Sequence, residues 1–99
     1  PIYNAIMKKL EKNKYIMRDL NRRSLYRIID LVMHWSSGGN FIDMFEITNL
    51  AEGDLIRLFR RIVDVLKQIR RATQNPDLAI KIDNCIARID RDIVKPEFE

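Results

Sequence analysis

Arginine carries most of the chemistry this sequence can offer. Arg57, Arg60, Arg61, Lys67 and Arg71 recur between Asp54 and Thr73, with a single acid, Asp64, spaced among them. On a helix turning about 100° per residue, these side chains and Gln68 share one face about 120° wide. Leu55, Ile56, Leu58, Phe59, Ile62, Val63, Val65, Leu66 and Ile69 fill the rest of the wheel. An apolar arc that wide belongs to a helix buried on both flanks, with one polar stripe left over. A guanidinium is a planar fork that pairs phosphate oxygens bidentately or stacks on a base. Arg57 and Arg61 stand one turn apart and can reach successive nucleotides of one strand. The same stripe also fits a solvated or protein-facing surface, because any surface helix needs a polar face and Asp64 can pair with Arg60 or Arg61. The wheel alone leaves both open and leans to the second.

Other chemistries lack their residues. There is no Gly-x-x-x-x-Gly-Lys-(Ser/Thr) loop and no Asp-Glu-x-His motif, so an ATPase has no place in this chain, which is expected not to be an enzyme itself. His34 is the only histidine and Cys85 the only cysteine, too few for a metal centre and far apart for a nucleophile pair. His34 suits the surface or boundary of its helix. Cys85 falls beside Ile82 and Ile86, where a buried structural thiol is expected. Trp35 can stack a base, but a Trp before a Gly-Gly turn reads first as a core anchor.

Composition sets the frame for these residues. The chain has 99 residues, enough for one domain, residues 1–99, of modest stability. Its hydrophobic share of 46% is that of a globular chain, and its net charge of +4 is compatible with nucleic acid without demanding it. A lone cysteine allows no intrachain disulfide, which fits an intracellular compartment. No apolar run approaches the roughly 18 residues of a membrane span, so no membrane is expected among its partners. A membrane-surface role for the basic residues Lys8, Lys9, Lys12 and Lys14 fits less well than packing against the rest of a parent protein. Opening on Pro1 points to a piece of a longer chain.

With only 3 Gly and 3 Pro, long helices with short connections are expected. Tyr3, Ile6, Met7 and Leu10, then Ile16, Met17 and Leu20, predict helix over 3–20 with a break at 11–14. Asn21 can cap a helix from about Arg22 to Trp35, ended by the punctuation Ser36-Ser37-Gly38-Gly39-Asn40. One or two turns follow over 41–47, with Phe41, Ile42, Phe45 and Ile47 inward. Asn49 and Glu52 have the spacing of a capping box, and Gly53 would let the next helix start close against another segment. That helix spans about 51–73. Asn75 caps and Pro76 opens a last helix over 76–94, striped by Ala79, Ile82, Ile86, Ile89 and Ile93 and stopped by Pro96. The fold class is all-α: a small bundle in which the 51–73 and 76–94 helices pair antiparallel on one or two N-terminal helices. A helix-turn-helix DNA reader fits poorly, since both long helices are too evenly striped to leave one free for a groove.

The segment Trp35-Ser36-Ser37-Gly38-Gly39-Asn40-Phe41, followed by Glu52-Gly53-Asp54-Leu55-Ile56-Arg57-Leu58-Phe59-Arg60-Arg61, resembles the DSHCT domain that closes superkiller-type DExH-box RNA helicases. Val65-Leu66-Lys67-Gln68-Ile69 is similar to that family's aliphatic run, and Ile89-Asp90-Arg91-Asp92-Ile93-Val94 to its ending. The resemblance covers about 24–94; it does not place residues 1–20, and the family domain extends further on the N-terminal side. It implies an accessory bundle beside the channel of an ATP-dependent RNA helicase, whose long helix turns basic side chains toward single-stranded RNA. By position, Arg61 is the first RNA-binding candidate and Arg57 the next, then Arg60, Lys67 and Arg71. Trp35, Gly38, Glu52 and Gly53 would be structural. ATP and magnesium would belong to the parent, not to this chain. The implied partners are single-stranded RNA, the helicase core and RNA-degradation machinery. With that resemblance the stripe reads as facing nucleic acid. The rival reading, a docking surface for the core or an acidic partner, stays beside it.

Overall fold

Asparagine side chains open three of the helices. The computed structural model describes residues 2–34 and 41–94. α1 (Ile2–Glu11) stops where the all-polar segment begins, and Asn13 starts α2 (Lys14–Asp19) by accepting hydrogen bonds from the Tyr15 and Ile16 amides at 3.0 and 3.1 Å. Asn21 accepts from the Ser24 amide at 2.8 Å and opens α3 (Arg22–His34), as its position predicted. Each cap satisfies amides that the first helical turn leaves without a partner. α4 (Phe41–Thr48) is followed by α5 (Glu52–Ala72) and α6 (Pro76–Ile89), and the chain continues from α6 in a π-helical turn, Asp90–Val94. Asn75 accepts from the Asp77 and Leu78 amides, with Pro76 in the first helical position, again as expected. No strand occurs among the described residues.

α5 is the axis of the bundle. It buries Leu55, Leu58, Phe59, Ile62, Val63, Val65, Leu66 and Ile69, which are eight of the nine residues assigned to its apolar arc. Ile56 is half-buried. The helix packs on α1, α2, α4, α6 and the π turn. Arg70 faces Asp83, and Lys67 and Arg71 line one cleft with Ile86, so the end of α5 runs beside α6 as in an antiparallel hairpin. Ala79, Ile82, Ile89 and Ile93 lie in the core, but Ile86 is only partly covered. Cys85 takes the fully buried place beside them. The π turn adds a residue per turn, and both Ile93 and Val94 end up buried.

Two expectations fail where α4 meets α5. Asn49 does not cap α5. Its φ of 57° is left-handed, and its amide donates to the Phe45 carbonyl at 2.7 Å, closing α4. Asparagine tolerates that conformation better than other non-glycine residues, and the short α4–α5 connection uses it. The residue before α5 is Ala51, which makes no side-chain cap, so Glu52 is the first helical residue and no capping box forms. Thr48 helps instead: its hydroxyl donates to the Met44 carbonyl at 2.7 Å and accepts from the Leu50 amide at 3.3 Å. Gly53 has no close neighbour either, since a Cβ there would meet nothing within 4 Å. Met44, not among the residues expected inward, is fully buried, while Phe45 and Ile47 pack half-buried against the core. Trp35, Gly38, the rest of the 36–40 segment and Pro96 lie outside the described residues, as do the side chains of His34, Phe41 and Ile42.

Candidate nucleic-acid interface

The stripe on α5 emerges on the outer face, as the wheel predicts. Arg57, Arg60, Asp64, Lys67, Gln68 and Arg71 are exposed, and Arg61 is half-buried. The half-burial of Arg61 has a cause. Its guanidinium carbon lies over the Tyr15 ring, 5.2 Å from the centroid. Arg18 approaches the same ring at 6.0 Å. Cations are drawn to aromatic faces by the ring quadrupole. Tyr15 and Arg18 are three apart on α2 and so share one face, which meets the N-terminal half of α5.

Arg18, Arg57 and Arg61 line a shallow cleft of about 190 Å³ with Asp19, Leu50 and Asp54. The acids are attached to two of the three arginines. Arg57 pairs with Asp54 at 2.7 Å, one turn back on α5, and Arg18 lies 3.7 Å from Asp19. Both arginines and Asp54 are exposed and Asp19 is partly so, so water screens the pairs and they constrain the arginines only weakly. Asp64 does not pair with Arg60 or Arg61 as expected; among the described residues it forms no ion pair. Its carboxylate points into solvent and leaves the positive stripe less neutralised than the spacing suggested.

Beyond Asp64 the stripe changes character. Lys67 and Arg71 border a second cleft with Arg70, Asp83 and Ile86. Arg70 Nε donates to both Asp83 carboxylate oxygens, at 3.1 and 3.2 Å, and ties α5 to α6. Glu52 and Gly53 sit exposed in the first turn of α5, where Glu52 and Asp54 complement the helix dipole. Arg88 plays a structural part that the sequence reading missed. It donates to the carbonyls of Val32 and Met33, at 3.0 and 2.6 Å, near the C-terminal end of α3. A cation is well placed at that end of a helix dipole. Burial pushes the neighbouring Cys85 thiol up to about 12, against a smaller pull downward from Arg88. Such a thiol stays protonated and unreactive.

Among the sequence-predicted residues, the structure brings Arg57 and Arg61 together at one cleft. It leaves Arg60 separately exposed and places Lys67 and Arg71 at another. Tyr15 and Arg18 were missed. Their i, i+3 spacing was a signal, but nothing in the linear pattern says which helix that face will meet.

The domain family described as DSHCT (NUC185) matches residues 3–96. Its match takes in the N-terminal segment that the motifs alone left unplaced. The chain is 36% identical over 70 residues, 68% of its length, to ATP-dependent RNA helicase mtr4 of Schizosaccharomyces pombe, of which it covers 6%. It is equally similar to DExH-box ATP-dependent RNA helicase DExH9 of Arabidopsis thaliana, 36% over 70 residues and 7% of that protein. Against Exosome RNA helicase MTR4 of Homo sapiens it is 34% identical over 70 residues, again 68% of this chain and 7% of the relative. The chain thus spans less than a tenth of the length of these relatives. No solved structure gives a significant match.

Proposed function

This chain belongs to the DSHCT (NUC185) domain family, and from that premise we propose that it is an accessory domain guiding single-stranded RNA past the motor of an ATP-dependent helicase. The observation that carries the proposal is the exposed arginine face of α5, with Arg57 and Arg61 converging on one cleft. The relatives' names, RNA helicases in each case, supply the polyanion that such a face would meet. The chemistry needs no sequence reading. Guanidiniums pair phosphates and stack on bases irrespective of base identity, so a strand can slide as the motor steps. Arg57, the more exposed of the two, suits a phosphate. Arg61, held over the Tyr15 ring, suits a base or the edge of a phosphate. Arg60 adds a charge on the same helix. Nucleotide hydrolysis with its magnesium would belong to the rest of the parent. RNA-degradation machinery is a partner by extension from the relative named as an exosome helicase.

The test is fluorescence anisotropy of labelled single-stranded RNA with this chain and with Arg57→Ala/Arg61→Ala, at low and moderate salt. The double variant should bind more weakly, and its salt dependence should flatten by about 0.7 per lost phosphate contact. Equal binding by the two proteins would overturn the assignment.

A second reading has its own observation. The cleft bordered by Lys67, Arg70 and Arg71 has a partly apolar floor at Ile86, which suits a protein surface better than a sliding strand. The stripe's C-terminal half would then dock the helicase core. Lys67→Glu/Arg71→Glu alters that cleft and leaves the Arg57–Arg61 cleft in place. Loss of assembly with RNA affinity retained would favour docking there.

A further inference from the structure

The function proposed above uses α5 alone, yet its most enclosed arginine is held by another helix. Arg61 is the only cation lining the α2–α5 cleft that has no carboxylate partner among the described residues; its contact is the ring of Tyr15. Tyr15 is 55% exposed, so burial does not account for its place. It sits in the first turn of a short helix that Asn13 starts and that packs on α5, which fixes where its ring stands. Arg18, on the same face of α2, shares the ring and adds a third guanidinium to the cleft wall.

We propose that Tyr15 is a positioning residue for polyanion binding, its ring holding Arg61 and Arg18 as facing walls so that a nucleic-acid strand crosses the α2–α5 junction instead of following α5 alone. The inference rests on the RNA-guiding reading and extends it to residues on a second helix. The ligand is the phosphodiester backbone of a single strand. Asp19 and Asp54 line the same cleft and pair with Arg18 and Arg57, while Arg61 has no carboxylate partner among the described residues and can give its charge to a phosphate. A ring contact orients a guanidinium without neutralising it, which a carboxylate partner would do.

The experiment measures binding of a labelled oligouridylate to this chain and to Tyr15→Leu, Tyr15→Phe, Arg18→Ala, Arg61→Ala and the pair Tyr15→Leu/Arg61→Ala. Circular dichroism melts check that each variant is folded. A surface cation–π contact predicts about a two- to fivefold loss of affinity for Tyr15→Leu and near-normal binding for Tyr15→Phe, which keeps the ring. Arg18→Ala should weaken binding and flatten the salt dependence by about 0.7. In the Arg61→Ala background, Tyr15→Leu should cost less than it does alone, because the side chain it positions is gone. A merely structural tyrosine would instead lower affinity by the same factor in both backgrounds, which would overturn the proposal. Full binding by Tyr15→Leu and Arg18→Ala, with binding lost in Arg57→Ala/Arg61→Ala, would overturn it too and leave the α5 interface standing. Absence of binding by the unaltered chain would overturn both.

Discussion

The arginines of this chain differ in use although the sequence writes them alike. Arg88 is bound inward to the carbonyls at the end of α3, and Arg70 is tied at the surface to Asp83 of α6. Arg57 and Arg61 are held loosely at a cleft, and Arg60 stands in solvent. Only the loosely held set can exchange its present contacts for a ligand at small cost. Cys85 shows the opposite condition, a reactive residue type made inert by its surroundings. Its thiol lies at about 12 in the fold against an ordinary 9.0, because burial disfavours the thiolate. Between those two values the unfolded chain gives up the proton and the folded chain keeps it. Stability from this group is therefore complete below pH 9 and falls as pH rises toward 12, by up to about 1.4 kcal/mol per pH unit. Native protein at pH 8 should react with a thiol-specific disulfide reagent only as fast as it unfolds, and addition of denaturant should release the reaction. Rapid labelling of the native chain would mean that Cys85 is reached without unfolding.

At the scale of the helix, the first turn of α5 offers the sharpest prediction. Gly53 is helical, exposed and without a neighbour within reach of a Cβ. Glycine in a helix loses more backbone entropy on folding than alanine does. Gly53→Ala should therefore stabilise this chain by about 0.4–1 kcal/mol, read from the urea midpoint at unchanged slope. A destabilised variant would show that the glycine is needed within this chain after all. If the variant is stabilised yet binds a helicase core less well, the requirement for glycine belongs to the assembled parent. The same region shows where a linear reading stops. Helix extents over 52–72 and 76–89 were legible because apolar residues recur at helical spacing, and Asn21 and Asn75 acted as the caps their positions suggested. Asn49 misled because asparagine suits both a cap and a left-handed turn. Only the path of the chain from α4 to α5 chooses between them. The candidate site was half legible: periodicity shows a basic face on α5, but Tyr15 comes to it through tertiary packing.

At the scale of the whole molecule, α5 is the main hub. It supplies eight core residues and packs on α1, α2, α4, α6 and the π turn, while α3 joins the bundle through α1, α4 and α6. The basic cleft straddles this arrangement, with one wall on α2 and one on α5. Binding competence should then depend on the cooperative fold and not on α5 as an isolated peptide. A chain this short has a folding stability of only about 5–15 kcal/mol. Leu66 is fully buried in the middle of α5. Leu66→Ala, which removes it from the core without touching the stripe, should cost about 2–5 kcal/mol. Asp64→Ala, two residues away on the exposed face, should change stability by no more than about 0.5 kcal/mol. Thermal melts of both variants, followed by helical ellipticity and by RNA anisotropy in parallel, test the coupling. Coincident loss of ellipticity and binding in Leu66→Ala would mean the interface exists only in the folded bundle. Binding that outlasts the helical transition would mean that the arginines act as an unstructured polycation. The geometry of the α2–α5 cleft would then have no part in recognition.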